Sequence, residues 1–294
     1  FLYQHDFKYF FTEYHTIEGG IYCETRRAMG IYDWHFKNLG AGTARPDTGL
    51  TTFQGYWMKD YPVAVLGRNE KASFQVWSAS YGYPGDGVYR EFHRRDPDTG
   101  LAFWRLTSKE CDLPQKQLYD PQEADQRAKD HAQHFVGLVK NLAEEHFNNK
   151  QQHALILVAF DTELFGHWWF EGLTWLEHVL TALYETPEIA VQTASQYLKA
   201  HPPKATLSLP ESTWGLGGHY WVWNNQQTQW MWPMVHAAEN KMKQLAKQYG
   251  TGADELTQRA LNQALRELLL MQSSDWPFLI TTFQAKDYAT ERFN

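Results

Sequence analysis

An α/β part followed by a helical part is the fold class this sequence predicts, on three observations. The continuous apolar run from His153 to Phe160 has the character of a parallel strand buried on both faces. Helical patterns flank it, so helix, strand, polar tip and helix follow one another as in a parallel α/β barrel or a doubly wound sheet. Past Pro202-Pro203 the strand-like runs stop and two amphipathic helical patterns take over.

The elements follow in order. Phe7-Lys8-Tyr9-Phe10-Phe11 reads as a strand from its aromatic content. From Gly30 to Tyr61 the glycines, Pro46 and scattered aromatics read as one long loop, a length often reserved for function. Pro62 to Leu66 reads as a buried strand closed by Gly67, and Ser73 to Ser78 as a second strand running into the turn-rich Tyr81-Gly82-Tyr83-Pro84-Gly85-Asp86. Residues 121–149 read as a helix: Pro121 suits an early helical position, and Ala124, Ala128, Ala132, Phe135, Leu138 and Val139 recur at helical spacing. A helix through Trp175 to Leu180 follows the Gly166 break. After a Gly- and Trp-rich stretch from Trp214 to Asn225, one helix covers about Trp232 to Tyr249, and a second runs from the N-cap Asp254 to Met271. The boundary falls within residues 187–210, giving domains of 1–200 and 201–294.

Composition narrows the function. The chain has 294 residues, 43% apolar and 21% charged, which excludes a disordered or fibrous chain. Its net charge of −7 excludes a diffuse basic footprint for nucleic acid. No apolar run approaches the ~18 residues of a membrane helix. Cys23 and Cys111 are its two cysteines, so a cytoplasmic location is expected rather than a disulfide framework. Aromatic residues reach 16%, with 13 Trp, and Trp is costly to place without a packing or binding role. Phosphate-loop, dinucleotide, zinc and nucleophile-elbow motifs are all missing, and no metal or cofactor is expected.

Four segments carry candidate chemistry. The first is the run from Phe160 to Trp169. Read as a strand end, it points Asp161 and Glu163 to one face, and the nearby Phe165, His167, Trp168 and Trp169 would desolvate an acid and raise its pKa. The other reading is that Asp161 caps the next helix and Glu163 pairs with a surface base. The second is Ser212 to Asn225, whose glycines let backbone approach a ligand and whose Trp rings offer flat surfaces for the C–H faces of sugars. The alternative is that these Trp pack the interface between the two parts. The third is Gln75-Val76-Trp77-Ser78 with the Pro84-Gly85 turn. The fourth is Gln272 to Pro277, where Asp275 at a helix C-terminus would oppose the macrodipole and so point to a ligand or base.

Together these segments resemble glycoside hydrolase family 57 in its 1,4-α-glucan branching branch. The matching runs are Gln75 to Ser78 with Gly82 to Asp86, Phe160 to Trp169, Trp214 to Gly218, and Ser273 to Phe278, in the family's order. The end, Asp287 to Phe293, is similar to the family's C-terminal helical region. The resemblance implies part of a distorted (β/α)7 barrel, then a helical domain closing the glucan cleft. It implies a retaining mechanism on two carboxylates, with Asp161 as general acid/base. Arg68, Trp77, Gly85, Trp214, Trp223 and Asp275 would line the subsites for an α-1,4-glucan of the amylose, glycogen or starch type. Glu163 and His167 would support the acid.

The family's nucleophile, a Glu in a Trp-Leu-Pro-Glu strand end, is not in this sequence. The expectation is that the chain begins just after it, and that a longer polypeptide or a separate chain supplies the missing barrel part. The loop matching the family's water-shielding loop, residues 33–50, carries Trp34 and Phe36 and no Tyr at its tip. The alternatives to branching are therefore a hydrolase of the same family and an inactive glucan-binding segment.

Overall fold

The aromatic run near the start of the chain becomes a strand, β1 (Tyr9–Thr12). Further along, β2 (Gly55–Met58), β3 (Ala64–Gly67) and the two-residue β4 (Thr206–Leu207) complete a sheet of order β1-β3-β2-β4. β3 pairs in parallel with β1 and antiparallel with β2, while β2 and β4 are parallel. Ala64, Val65 and Leu66 have no exposed surface, as a continuous apolar run flanked on both sides demands. The last position of β3 is held to glycine, since a Cβ on Gly67 would lie 2.6 Å from the side chains of both Ile17 and Thr52.

This computed structural model describes residues 1–18, 48–78, 81–108, 110–215 and 218–294. They divide into two units, the first running to Glu211 and the second starting at Ser212. Most of the long loop predicted from Gly30, with Trp34 and Phe36, lies outside the described residues, as does Cys23. Its described end contains β2, which the glycine-rich pattern concealed.

The first unit continues with the short helix α1 (Tyr14–Ile17), then α2 (Glu70–Trp77), the long α3 (Pro121–Lys150), α4 (Gly172–Tyr184) and α5 (Ala194–Ala200). Helix α3 starts as read: Pro121 takes the first position, and the Asp120 side chain accepts from the N–H groups of Gln122 and Glu123. Its 30 residues span about 45 Å. Ala124, Ala128 and Ala132 are almost wholly buried, so this face approaches its neighbours closely. The core it joins holds Val76, Tyr83, Tyr89, Phe135, Trp169, Trp175 and Val179.

Two strand expectations are corrected. Ser73 to Trp77 lies in helix α2, and Ser78 is its C-cap. The Asn69 side chain accepts from the Ala72 N–H at 3.0 Å and caps that helix. Over six residues, a short half-buried helix and a strand present similar apolar patterns, and here the cap decided. The run from Ala154 to Phe160 is extended but half-buried. Its only bridge among the described residues joins Leu157 to Arg68, while the Leu155 N–H donates to the Phe53 carbonyl and the Asn69 N–H to that of Leu157. An apolar run states what a segment can bury; the length of its ladder depends on the partners beside it.

In the second unit, helices α6 (Met231–Tyr249) and α7 (Glu255–Met271) follow the predicted spans, and Asp254 caps α7. Helices α8 (Asp275–Thr282) and α9 (Lys286–Phe293) close the chain. Met231, Val235, Ile280, Ala289 and Phe293 form this unit's core.

The alanine face of α3 leads to the first prediction. Ala128→Leu overfills a position with no free surface and should cost about 1–3 kcal/mol. The exposed Glu145→Ala on the same helix should stay within about 0.5 kcal/mol. Chemical denaturation of both variants is the check.

Candidate functional site

In the first unit the candidate site is built where β1 and β3 end. Their parallel register sets Thr12 beside Gly67, so Glu13 and Arg68 leave the sheet side by side. The Arg68 guanidinium contacts both Glu13 carboxylate oxygens, at 3.0 and 3.1 Å. Both side chains are largely buried, 14% and 7% exposed. Arg68 also donates to the Ala159 carbonyl at 3.4 Å. The structure thus brings Arg68 to the segment that ends, two residues later, at Asp161.

Asp161 is half-buried and precedes a single 3-10 turn, Thr162–Leu164. Its side chain makes no capping hydrogen bond to that turn, so the helix-cap alternative is not realised. The shared-face argument for Asp161 and Glu163 is corrected: in a 3-10 turn residues three apart align, and residues two apart do not. Glu163 and His167 are exposed. His167 and Trp168 pack around Phe92, with ring centroids 5.0 and 4.6 Å from it. Trp169 points the other way, into the core, 5.3 Å from Trp175 and 5.4 Å from Tyr89.

Trp77 closes α2 and packs, half-buried, against that same core. Gly85 lies in the turn Tyr83–Gly85, beside a hollow of about 390 Å³ that Gln75, Asp86, His131 and His134 also line. Two histidines of α3 hold this turn from below. The Tyr83 hydroxyl meets His134 Nδ1 at 2.6 Å, and the Tyr89 hydroxyl meets His131 Nδ1 at 2.8 Å. Arg127 pairs with Asp86 at 2.7 Å. Burial raises the pKa of both tyrosines and lowers that of His131.

Sequence reading missed Glu13, the His131–His134 pair and Glu171. Glu13 carries no local signal. The histidines were legible in principle, since a spacing of three puts them on one helical face. Glu171, at the start of α4, is 4% exposed and accepts from the Arg90 N–H at 3.0 Å. Burial raises its pKa above the ordinary 4.5, against the lowering effect of its hydrogen bonds.

The second unit holds its own cleft, of about 1070 Å³, lined by Trp214, Trp223 and Trp232 among others. Trp214 is 57% exposed, and its ring centroid lies 5.8 Å from that of Trp223. Gly215 is required between them: a Cβ there would come within 2.5 Å of the Trp223 ring. Trp232 donates its indole N–H to the Trp223 carbonyl at 3.2 Å. Asp275 departs from expectation. It opens α8 instead of closing α7, so its charge favours the helix dipole and no opposing ligand is implied. Its neighbours Ser273, Ser274 and Pro277 line the cleft, and Asp275 does not. No three metal-binding side chains cluster among the described residues, and no described helix is long and apolar enough to cross a membrane.

Comparison with known proteins adds a separate kind of observation. Residues 234–294 match the C-terminal region of 1,4-alpha-glucan branching enzymes. Over 293 residues the chain is 43% identical to a 1,4-alpha-glucan branching enzyme of Thermococcus kodakarensis, covering 99% of this chain and 41% of the relative. A probable 1,4-alpha-glucan branching enzyme of Mycobacterium tuberculosis is 37% identical over 235 residues, 78% of this chain and 44% of the relative. The chain therefore spans less than half the length of these curated relatives. Among solved structures, the Thermococcus enzyme in complex with glucose and additives aligns with a TM-score of 0.80 at 42% identity, covering 97% of this chain and 49% of that one. The alpha-amylase AmyC of Thermotoga maritima aligns at 0.71 with 30% identity, covering 99% and 53%.

Two predictions follow from the buried carboxylates. Glu13→Ala leaves the Arg68 charge buried and unpaired, and should cost about 3–5 kcal/mol in a denaturant titration. Glu171→Gln bears on pH. A carboxyl whose folded pKa is raised contributes stability fully present below its unfolded pKa, and loses it as pH rises through the folded value. Gln does not titrate. Melting curves should therefore show Glu171→Gln gaining on the parent as pH rises from about 4.5; a gap independent of pH refutes the assignment.

Proposed function

The chain belongs to glycoside hydrolase family 57, and from that premise we propose that the protein carrying it is a retaining 1,4-α-glucan branching enzyme. It cleaves an α-1,4-linked glucan and transfers the released chain to a 6-hydroxyl, forming an α-1,6 branch. The observation that carries this reading is 43% identity to a branching enzyme along 99% of the chain.

Asp161 is the general acid/base of the proposal. It protonates the departing glycosidic oxygen while a Glu outside this chain attacks the anomeric carbon. The sugar is then held as a covalent ester, and Asp161, now ionised, takes the proton of the incoming 6-hydroxyl. The tie from Arg68 to the Ala159 carbonyl supports a fixed approach for Asp161. Arg68, Trp77, Gly85, Trp214 and Trp223 are assigned to the glucan subsites, with Asp275 left beside the cleft at the start of α8, and Glu163 and His167 are assigned to the support of the acid. The α/β unit is read as part of a (β/α)7 barrel, with residues 1–200 and 201–294 as catalytic and helical domains, in a cytoplasmic enzyme.

A hydrolase with water as acceptor is the second reading, favoured by the likeness to an alpha-amylase at 30% identity. The higher identity to branching enzymes places it second. Incubation of the intact protein with amylose separates the two. Branching lowers iodine colour and creates α-1,6 signals while reducing ends stay nearly constant, whereas hydrolysis raises reducing ends. Asp161→Asn should slow the transfer about 10²–10⁴-fold, the usual contribution of a positioned acid/base. Full activity in that variant overturns the assignment.

A further inference from the structure

The cleft of the second unit extends past Trp214 and Trp223 to a polar cluster that the proposed function leaves unused. Trp232, His236 and Glu239 lie four and three residues apart on α6 and so share one face, and Gln272 joins them from the end of α7. Glu239 organises the group. One carboxylate oxygen accepts from the Gln272 amide at 2.6 Å and the other meets His236 Nδ1 at 3.2 Å. Hydrogen bonds from His236 and then Gln272 hold its carboxyl below the ordinary range.

This arrangement faces outward. The His236 side chain is 64% exposed, and among the described residues its Nε2 and the Gln272 Oε1 hydrogen-bond to no protein group. Side chains already locked by a carboxylate lose little freedom when a ligand arrives. The cleft's charge identifies the class of ligand. Among the described residues no Lys or Arg lines it, so an anion finds no counter-charge there, and a cation would have to compete with the two hydrogen bonds that its one described carboxylate already makes. Flat indole surface beside neutral donors and acceptors suits a polyhydroxyl ring with apolar C–H faces. Its volume, about 1070 Å³, lies at the top of the ~300–1,000 Å³ of small-molecule sites, so it has room for several linked rings.

We propose that Trp232, His236, Glu239 and Gln272 form a further glucan subsite, which holds additional glucose units of an α-1,4-linked chain beyond Trp214 and Trp223. The identity of the sugar rests on the branching reading; the existence of the subsite does not require turnover. Maltohexaose titrated into the intact protein by calorimetry tests it. The double variant His236→Ala with Gln272→Ala should bind about tenfold more weakly, as the loss of two modest hydrogen bonds implies. Gln272→Ala alone, which keeps the His236–Glu239 pair, is the second variant should the double one fail to fold, and it should lose about threefold. Cellohexaose, a straight β-1,4 chain of the same units, should bind far more weakly than maltohexaose. Unchanged affinity in the folded variants, equal affinity for cellohexaose, or no binding of maltohexaose to the parent each overturns the subsite. Failure of the parent to branch amylose, with the variant effects intact, refutes the branching reading and leaves the subsite standing.

Discussion

The buried pair of Glu13 and Arg68 joins the two parallel strands to the segment that carries Asp161. Glu13 follows β1, Arg68 follows β3, and the guanidinium reaches across to the Ala159 carbonyl. Burying two charges is costly, and a well-packed apolar pair would hold the strands as well or better. What an apolar pair lacks is direction. Nη2 of Arg68 meets both carboxylate oxygens while Nη1 donates to a backbone oxygen, which fixes where the extended segment leaves the sheet. The approach of Asp161 depends on that exit.

Behind this tie stands an aromatic core with little slack. The small side chains of Ala124, Ala128 and Ala132 let α3 sit close to its neighbours, and Tyr83, Trp169 and Trp175 fill the space that remains. The rings of Trp169 and Trp175 lie 5.3 Å apart, within the range for favourable tilted pairs. Rings packed in this way change volume only at a cost, so the turn bearing Gly85 rests on a stiff support. His131 and His134 add directional contacts where packing alone would leave two buried tyrosine hydroxyls unsatisfied.

The second unit uses its aromatics differently. Trp214 remains more than half exposed. Gly215 marks the constraint: backbone and indole approach so closely that no side chain fits, which holds Trp223 against the loop. The exposed Trp214 indole lies beside the Trp223 ring held in this way, with 5.8 Å between their centroids. Glu239 does for the polar end of the cleft what Gly215 does for the aromatic end, restraining groups before any ligand arrives.

Much was legible in the sequence, for local reasons. Helix α3 was readable because Pro121 and the alanine spacing are signals within a few residues of one another. The same holds for α7 and its Asp254 cap, and for β3, whose apolar run needs no context. The motif around Asp161 indicated the family because side-chain identity survives whatever the backbone does. Its geometry was not legible, and the strand assumed there is a 3-10 turn. Asp275 was misread for a related reason: whether a residue ends one helix or begins the next turns on a single backbone step. Glu13 and Arg68 stand 55 residues apart, and only the register of two strands makes them partners. The sequence by itself determined helices α3, α4, α6 and α7, the strand β3 and the family, because these rest on local periodicity and residue type. Tertiary structure alone decided the ion pair, the buried Glu171 and the arrival of Gln272 at Glu239, because each is an encounter between distant segments whose meeting no local pattern encodes.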